Sequence, residues 1–198
     1  MLYIAQGIVI TKPAPAMSPR PDTRVLHVSV VVMGVSGCGK TTLGEALAWE
    51  LGAPFVEGDA FHPSANVAKM ASGRPLEDSD RAGWLEALAR RLAIGRERGE
   101  PVVLACSALK RRYRDVLRSG DPALRLVFLH GQRELIAARL HTRAGHFMPP
   151  SLLESQFRDL EIPSADEDCL ACDPAEPTGE LVRRAVQWLG ERGSTVKR

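Results

Sequence analysis

"VVMGVSGCGKTTLGEAL", residues 31–47, sets an apolar run against a turn with almost no side chain, followed by a helical period. Gly34, Val35, Ser36, Gly37, Cys38, Gly39, Lys40 and Thr41 fit G-x-x-x-x-G-K-[ST] without a gap. Glycines let the backbone curl until consecutive N–H groups point inward, and the helix that follows adds the positive end of its dipole. Such a turn, with Thr42 extending it into the helix, attracts phosphate oxygens. Lys40 is a mobile point charge suited to β- and γ-phosphates, and the Thr41 hydroxyl suits a Mg²⁺ held by them. A strand before the motif and a helix directly after it are the context that separates it from a chance match. Cys38 fills a free position of the motif. Its place at a helix start raises the prospect of a lowered thiol pKa, and the simpler reading is a small residue that fits.

Outward from this turn, apolar runs of strand length alternate with helical periods. Strands are expected at 25–33, 54–59, 101–106, 124–130 and, more weakly, 167–172. Helices are expected at 40–51, 64–72, 78–98, 109–118, 132–143, 151–161 and 178–191, with Asp78 as the N-cap of the third. Near-continuous apolar strands such as "VSVVVM" and "RLVFL" suit a parallel sheet covered on both faces. The expectation is an α/β chain of the P-loop NTPase fold: a parallel sheet of about five strands, helices on both faces and a small lid. Its ligands should lie beyond the carboxyl ends of the strands.

The 198 residues suffice for one domain, read as 25–198 with the lid near 143–161. Residues 1–24 hold "TKPAPAMSPRPDTR", with four prolines and no hydrophobic period, and read as a flexible extension in which Met17 is an alternative start. The apolar "MLYIAQGIVI" lacks the basic start and cleavage site of a signal peptide. A balance of 26 basic and 24 acidic residues argues against nucleic acid or an anionic membrane as the main partner. Cys38, Cys106, Cys169 and Cys172 are too scattered for a disulfide scaffold, and a reducing cytoplasm fits them best. Cys169 and Cys172 have metal-ligand spacing but no second pair, so they read as strand residues.

A phosphate-binding turn does not by itself separate kinases from GTPases, motors or binding modules. The [NT]KxD base-recognition tetrapeptide of GTPases is missing, and the third strand ends in "CSALK" where a motor ATPase carries an acid. Both point to a small-molecule kinase. The segments "MGVSGCGKTT", "GDAFHP", "NVAKMASGRPLEDSDRAGWL", "LACSALKRRYRDVLR" and "RAGHFMPPSLLESQF" carry the reading further. In them the chain resembles the gluconokinases over about residues 33–161. It departs from the family at Cys38, where serine is usual, and Arg74 stands where the family often has a polar or basic residue.

The resemblance implies transfer of the ATP γ-phosphoryl group to the 6-hydroxyl of D-gluconate, with ATP and Mg²⁺ required. It is compatible with a homodimer. A second acceptor class (shikimate or a nucleoside monophosphate) and a nucleotide-binding protein without turnover are the alternatives. Asp59, at the end of the second strand, would orient the acceptor hydroxyl and take its proton, and His62 would bond a sugar hydroxyl. The acceptor's carboxylate needs a cation. Lys69, Arg81, Lys110 and Arg114 are the candidates in the family-like segments, with Lys110 and Arg114 preferred for their place after the third strand. Trp84 belongs to an apolar stripe and reads as core. Arg139 and Arg143, four apart on one helix face, would reach the phosphates or the adenine. His146, in a loop at 144–150 bracketed by Gly145 and the Pro149-Pro150 pair, would complete the closed site.

Overall fold

The computed structural model describes residues 28–142 and 150–193. The extension expected at 1–24, the residues Arg143 and His146, and the loop expected at 144–150 as far as residue 149 lie outside them.

Five strands form one parallel sheet: β1 (Val30–Met33), β2 (Phe55–Glu57), β3 (Val103–Ala105), β4 (Arg125–Leu129) and β5 (Cys169–Cys172), in the order β2-β3-β1-β4-β5. β1 lies at the centre, with Val31 opposite Leu104 on one side and Leu126 on the other. All four of its residues are buried, as a parallel strand covered on both faces must be. The alternation of strand side chains sorts them into two cores. Val30 and Val32 join Val103 and Val127 against α1 (Lys40–Leu51) and α7 (Thr178–Gly193). Val31 and Met33 join Leu104, Leu126 and Phe128 against α3 (Asp78–Arg98) and α4 (Arg111–Gly120). Trp84 is part of the second core. The short α2 (Ser64–Ala71) precedes α3, while α5 (Arg133–Thr142) leads up to the region expected to form the lid and α6 (Pro150–Asp159) lies within it.

One local expectation needs correction. The N-cap of α3 is Glu77, not Asp78: the Glu77 side chain accepts the Asp80 N–H, and Asp80 accepts the Glu77 N–H at 2.7 Å. The Asp78 carboxylate is instead drawn across to α4, where Tyr113 and Arg112 both bond to it. Cys169 and Cys172 are β5 residues, and among the described residues no group of three or more His, Cys, Asp or Glu side chains is arranged to hold a metal ion. No helix of the described residues is long and apolar enough to cross a membrane.

Candidate active site

The chain leaves β1 through a turn in which Gly34, Gly37 and Gly39 take φ of 138°, 82° and 100°. Gly34 also passes so close to β4 that a Cβ there would stand 2.6 Å from the Leu129 carbonyl oxygen. No L side chain fits that position. The Cys38 thiol packs beneath the turn, 1% exposed. Burial raises its pKa against the opposing pull of Lys40, so it is a space-filling thiol and not an activated one. Lys40 donates from Nζ to the Val35 carbonyl at 3.1 Å, and Thr41 donates from Oγ1 to the Glu57 carboxylate at 2.7 Å.

Above the turn lies a cavity of about 930 Å³. Residues 36–42 form its floor, Glu57 and Asp59 one wall, and Arg139 with the 174–178 segment the other. Gly34 and Val35 shape the turn from below and do not line the cavity. Within that wall Arg139 donates from Nη2 to the Pro174 carbonyl at 2.7 Å.

A second cavity, of about 370 Å³, meets the first at Ser36, Lys40 and Asp59. β2 runs straight into a 3₁₀ turn, Gly58–Phe61, that sets up this junction. At Gly58 a Cβ would lie 2.4 Å from the Ala105 carbonyl oxygen, so only glycine lets the turn press against the end of β3. The turn leaves the Asp59 carboxylate exposed and folds His62 inward, to 70% and 5% side-chain exposure. His62 stacks on Trp84 with centroids 4.2 Å apart, and Trp84 donates to the Gly58 carbonyl at 2.8 Å. Trp84 is therefore both core and wall of the cavity. Burial lowers the His62 pKa, Asp59 opposes and Arg81 reinforces that shift, so the ring is neutral at pH 7.

Of the four cations considered from the sequence, Arg81 alone lines this cavity. It is 8% exposed, donates to the Leu76 carbonyl at 3.1 Å and sits over the Tyr113 ring. Among the described residues, its Nε and the Nδ1 of His62 are buried without a hydrogen-bond partner. Two such nitrogens on one cavity wall fit a polar, oxygen-rich ligand, because none of the described residues satisfies them.

The preferred cations are bound elsewhere. Arg114 is fully buried and clasps Glu167 through Nε at 2.5 Å and Nη2 at 2.8 Å, while Nη1 serves the carbonyls of Ala108, Leu109 and Glu161. It braces the β3–α4 corner and lines neither cavity. Lys110 is held by Asp78 at 3.1 Å and Asp159 at 3.4 Å, and Lys69 by Asp80 at 2.6 Å. Arg74 is exposed and bonds Ser72. Two site residues escaped the sequence reading. Glu57 was visible as an acid at a strand end directly before Gly58 and Asp59. Gln156, whose side-chain carbonyl accepts the Ser36 N–H at 2.7 Å, gave no signal beyond its place in "SLLESQF".

A phosphate-binding turn with Lys40 and Thr41 at a helix start, opening at Lys40 and Asp59 onto a second, polar cavity, defines a P-loop phosphotransferase. Comparison with known proteins narrows the class. A family model described as an AAA domain matches residues 30–161. The thermosensitive gluconokinase of Escherichia coli strain K12 is 48% identical over 139 residues, which is 70% of this chain and 74% of that protein. A gluconokinase of Gluconobacter oxydans strain 621H is 51% identical over 138 residues, 70% of this chain and 78% of its own. The crystal structure of a gluconokinase from Sinorhizobium meliloti 1021 superposes with a TM-score of 0.80 at 49% identity, covering 87% of this chain and 97% of that one. The chain belongs to the gluconokinase family.

Proposed function

We propose that the chain transfers the γ-phosphoryl group of ATP to the 6-hydroxyl of D-gluconate. The observation that carries this reading is the junction of the two cavities at Ser36, Lys40 and Asp59. ATP lies in the larger cavity with its phosphates on the turn and its adenine toward the 174–178 wall, beside Arg139. Gluconate lies in the smaller one. Its carboxylate pairs with Arg81 and a chain hydroxyl donates to the neutral His62 Nδ1. The 6-hydroxyl then stands at Asp59.

The step needs alignment and charge neutralisation more than covalent help from the protein. The acceptor oxygen forms its bond to the γ-phosphorus as the bond to the ADP oxygen breaks, and the hydroxyl proton passes to Asp59. Lys40 and Arg139 offset the charge that gathers on the transferring oxygens. The oxygens of Thr41 and Glu57, both on the larger cavity, fit a hard cation such as Mg²⁺, which is ordinarily held by one or two such groups plus substrate phosphates. When bound there it neutralises phosphate charge. The test of the acceptor side is Asp59→Asn, which keeps size and removes the proton acceptor. Turnover falls by about 10²–10⁴-fold while the KM for ATP holds; near-normal turnover would refute the assignment of Asp59.

A further inference from the structure

The bond from the Ser36 N–H to the Gln156 carbonyl spans 120 residues of sequence and ties α6 to the phosphate turn. Its location is unusual. Ser36 lies on the wall of both cavities, at the point through which a phosphoryl group must pass. Gln156 lies on the acceptor cavity beside Leu152 and Ser155 of the same helix. A backbone N–H of this turn serves phosphate oxygens, yet here it is satisfied by a neutral amide of the protein.

Resting on the ATP reading above, we propose that Gln156 is a placeholder for the γ-phosphate and so a sensor of the triphosphate. The side chain keeps the Ser36 N–H paired until a γ-phosphate oxygen takes it over. Hydrogen bonds to charged acceptors are roughly twice as strong as neutral ones, so the exchange favours the phosphate. ADP has no group that reaches this N–H and leaves the contact in place. Release of Gln156 frees α6, whose Leu152 and Ser155 are part of the acceptor wall, so the arrival of ATP and not ADP is felt where the acceptor binds. Gln156 thus acts as a positioning residue through Ser36 and α6.

Two substitutions with opposite signs test this. Gln156→Glu sets a carboxylate on the Ser36 N–H that holds it more firmly and repels the γ-phosphate. Gln156→Ala removes the competitor. Dissociation constants for a non-hydrolysable ATP analogue and for ADP, with Mg²⁺, are measured by calorimetry on the full chain. The glutamate variant is expected to bind the analogue about tenfold or more weakly, and the alanine variant roughly two- to tenfold more tightly, with ADP nearly unchanged in both. The alanine variant alone is decisive if the glutamate variant does not fold. Equal shifts for analogue and ADP, or no shift for either, overturn the proposal and leave Gln156 as a structural tie. If the wild-type chain binds neither nucleotide, the ATP reading falls and the placeholder falls with it.

Discussion

Replacing Arg81 by methionine keeps the length of a side chain packed against Tyr113 and removes its charge and its donors. If the acceptor's carboxylate pairs with this guanidinium, the variant loses a charge-assisted hydrogen bond at a site only 8% exposed, where water cannot substitute. Such bonds contribute about 1.5–3 kcal/mol, which is a roughly 10- to 150-fold rise in the KM for gluconate. The cost to the fold is smaller. One bond to the Leu76 carbonyl is lost, about 1 kcal/mol, or a fall in Tm of about 2–4 °C in a chain of this size. The assay is coupled ADP release at saturating ATP with gluconate varied, then at saturating gluconate with ATP varied, beside a thermal melt. The KM for gluconate should rise alone. Preference for gluconate over glucose, which has no carboxylate, should shrink by the same factor. An unchanged KM for gluconate, or equal rises in both KM values, would refute the assignment of Arg81 as the carboxylate's partner.

Removing Lys40 as Lys40→Ala should cut turnover by on the order of 10²–10³-fold with the melt unchanged, since the turn's backbone is kept. Glu57→Gln should raise the Mg²⁺ concentration needed for half-maximal rate and leave the KM for gluconate unaltered, which a Mg²⁺ titration at fixed ATP reads directly. Arg114→Met should act on stability and not on substrate. Depriving the buried Glu167 of its main partner, with Arg118 still bonded to it at 3.3 Å, costs about 3 kcal/mol, a Tm loss of roughly 6–12 °C, while both KM values stay near wild type. Burial alone would raise the Glu167 carboxyl, but the Arg114 hydrogen bond, the Ser164 N–H and the Arg114 charge outweigh it and hold the pKa at about 2. A carboxylate depressed on folding stabilises the fold above its unfolded pKa of about 4.5 and loses that contribution as pH falls toward 2. The wild-type melt should therefore drop in that window, and the drop should be smaller in Glu167→Gln.

The phosphate turn and the parallel sheet were legible because their signals are local. An apolar strand, a run of glycines and a helical period sit within 17 consecutive residues, and β1 emerges with every side chain buried. The placement of Asp59 and His62 on the smaller cavity was legible for the same reason, since both follow β2 within a few residues. The cations were not. Arg114 and Arg81 look alike in sequence, each on a helix and each next to an aspartate. What distinguishes them is a partner 53 residues away: Glu167 folds back under α4 and takes the Arg114 guanidinium into the core. Among the described residues no such acid pairs with Arg81, which keeps a nitrogen without a partner at the cavity wall. Asp78 was misread for a related reason. Its neighbour Glu77 completes a reciprocal cap with Asp80, and α4 supplies Tyr113 and Arg112 to claim the spare carboxylate. Glu57 shows the opposite case, a local signal overlooked, since it lies two residues before an aspartate already assigned to the site.

If the polar cavity beside Lys40 and Asp59 holds the acceptor, it should select D-gluconate. The direct measurement is kcat/KM, with ATP and Mg²⁺, for gluconate against glucose, shikimate and AMP. Glucose leaves Arg81 unpaired and should fall at least about tenfold below gluconate on that ground alone. Shikimate keeps a carboxylate and AMP a phosphate, either of which can pair with an arginine, so the shape of the cavity must exclude both. Gluconate should lead all three, with 6-phosphogluconate and ADP formed one for one. A competitor that matches gluconate, or ATP consumption that no acceptor stimulates, would contradict the account.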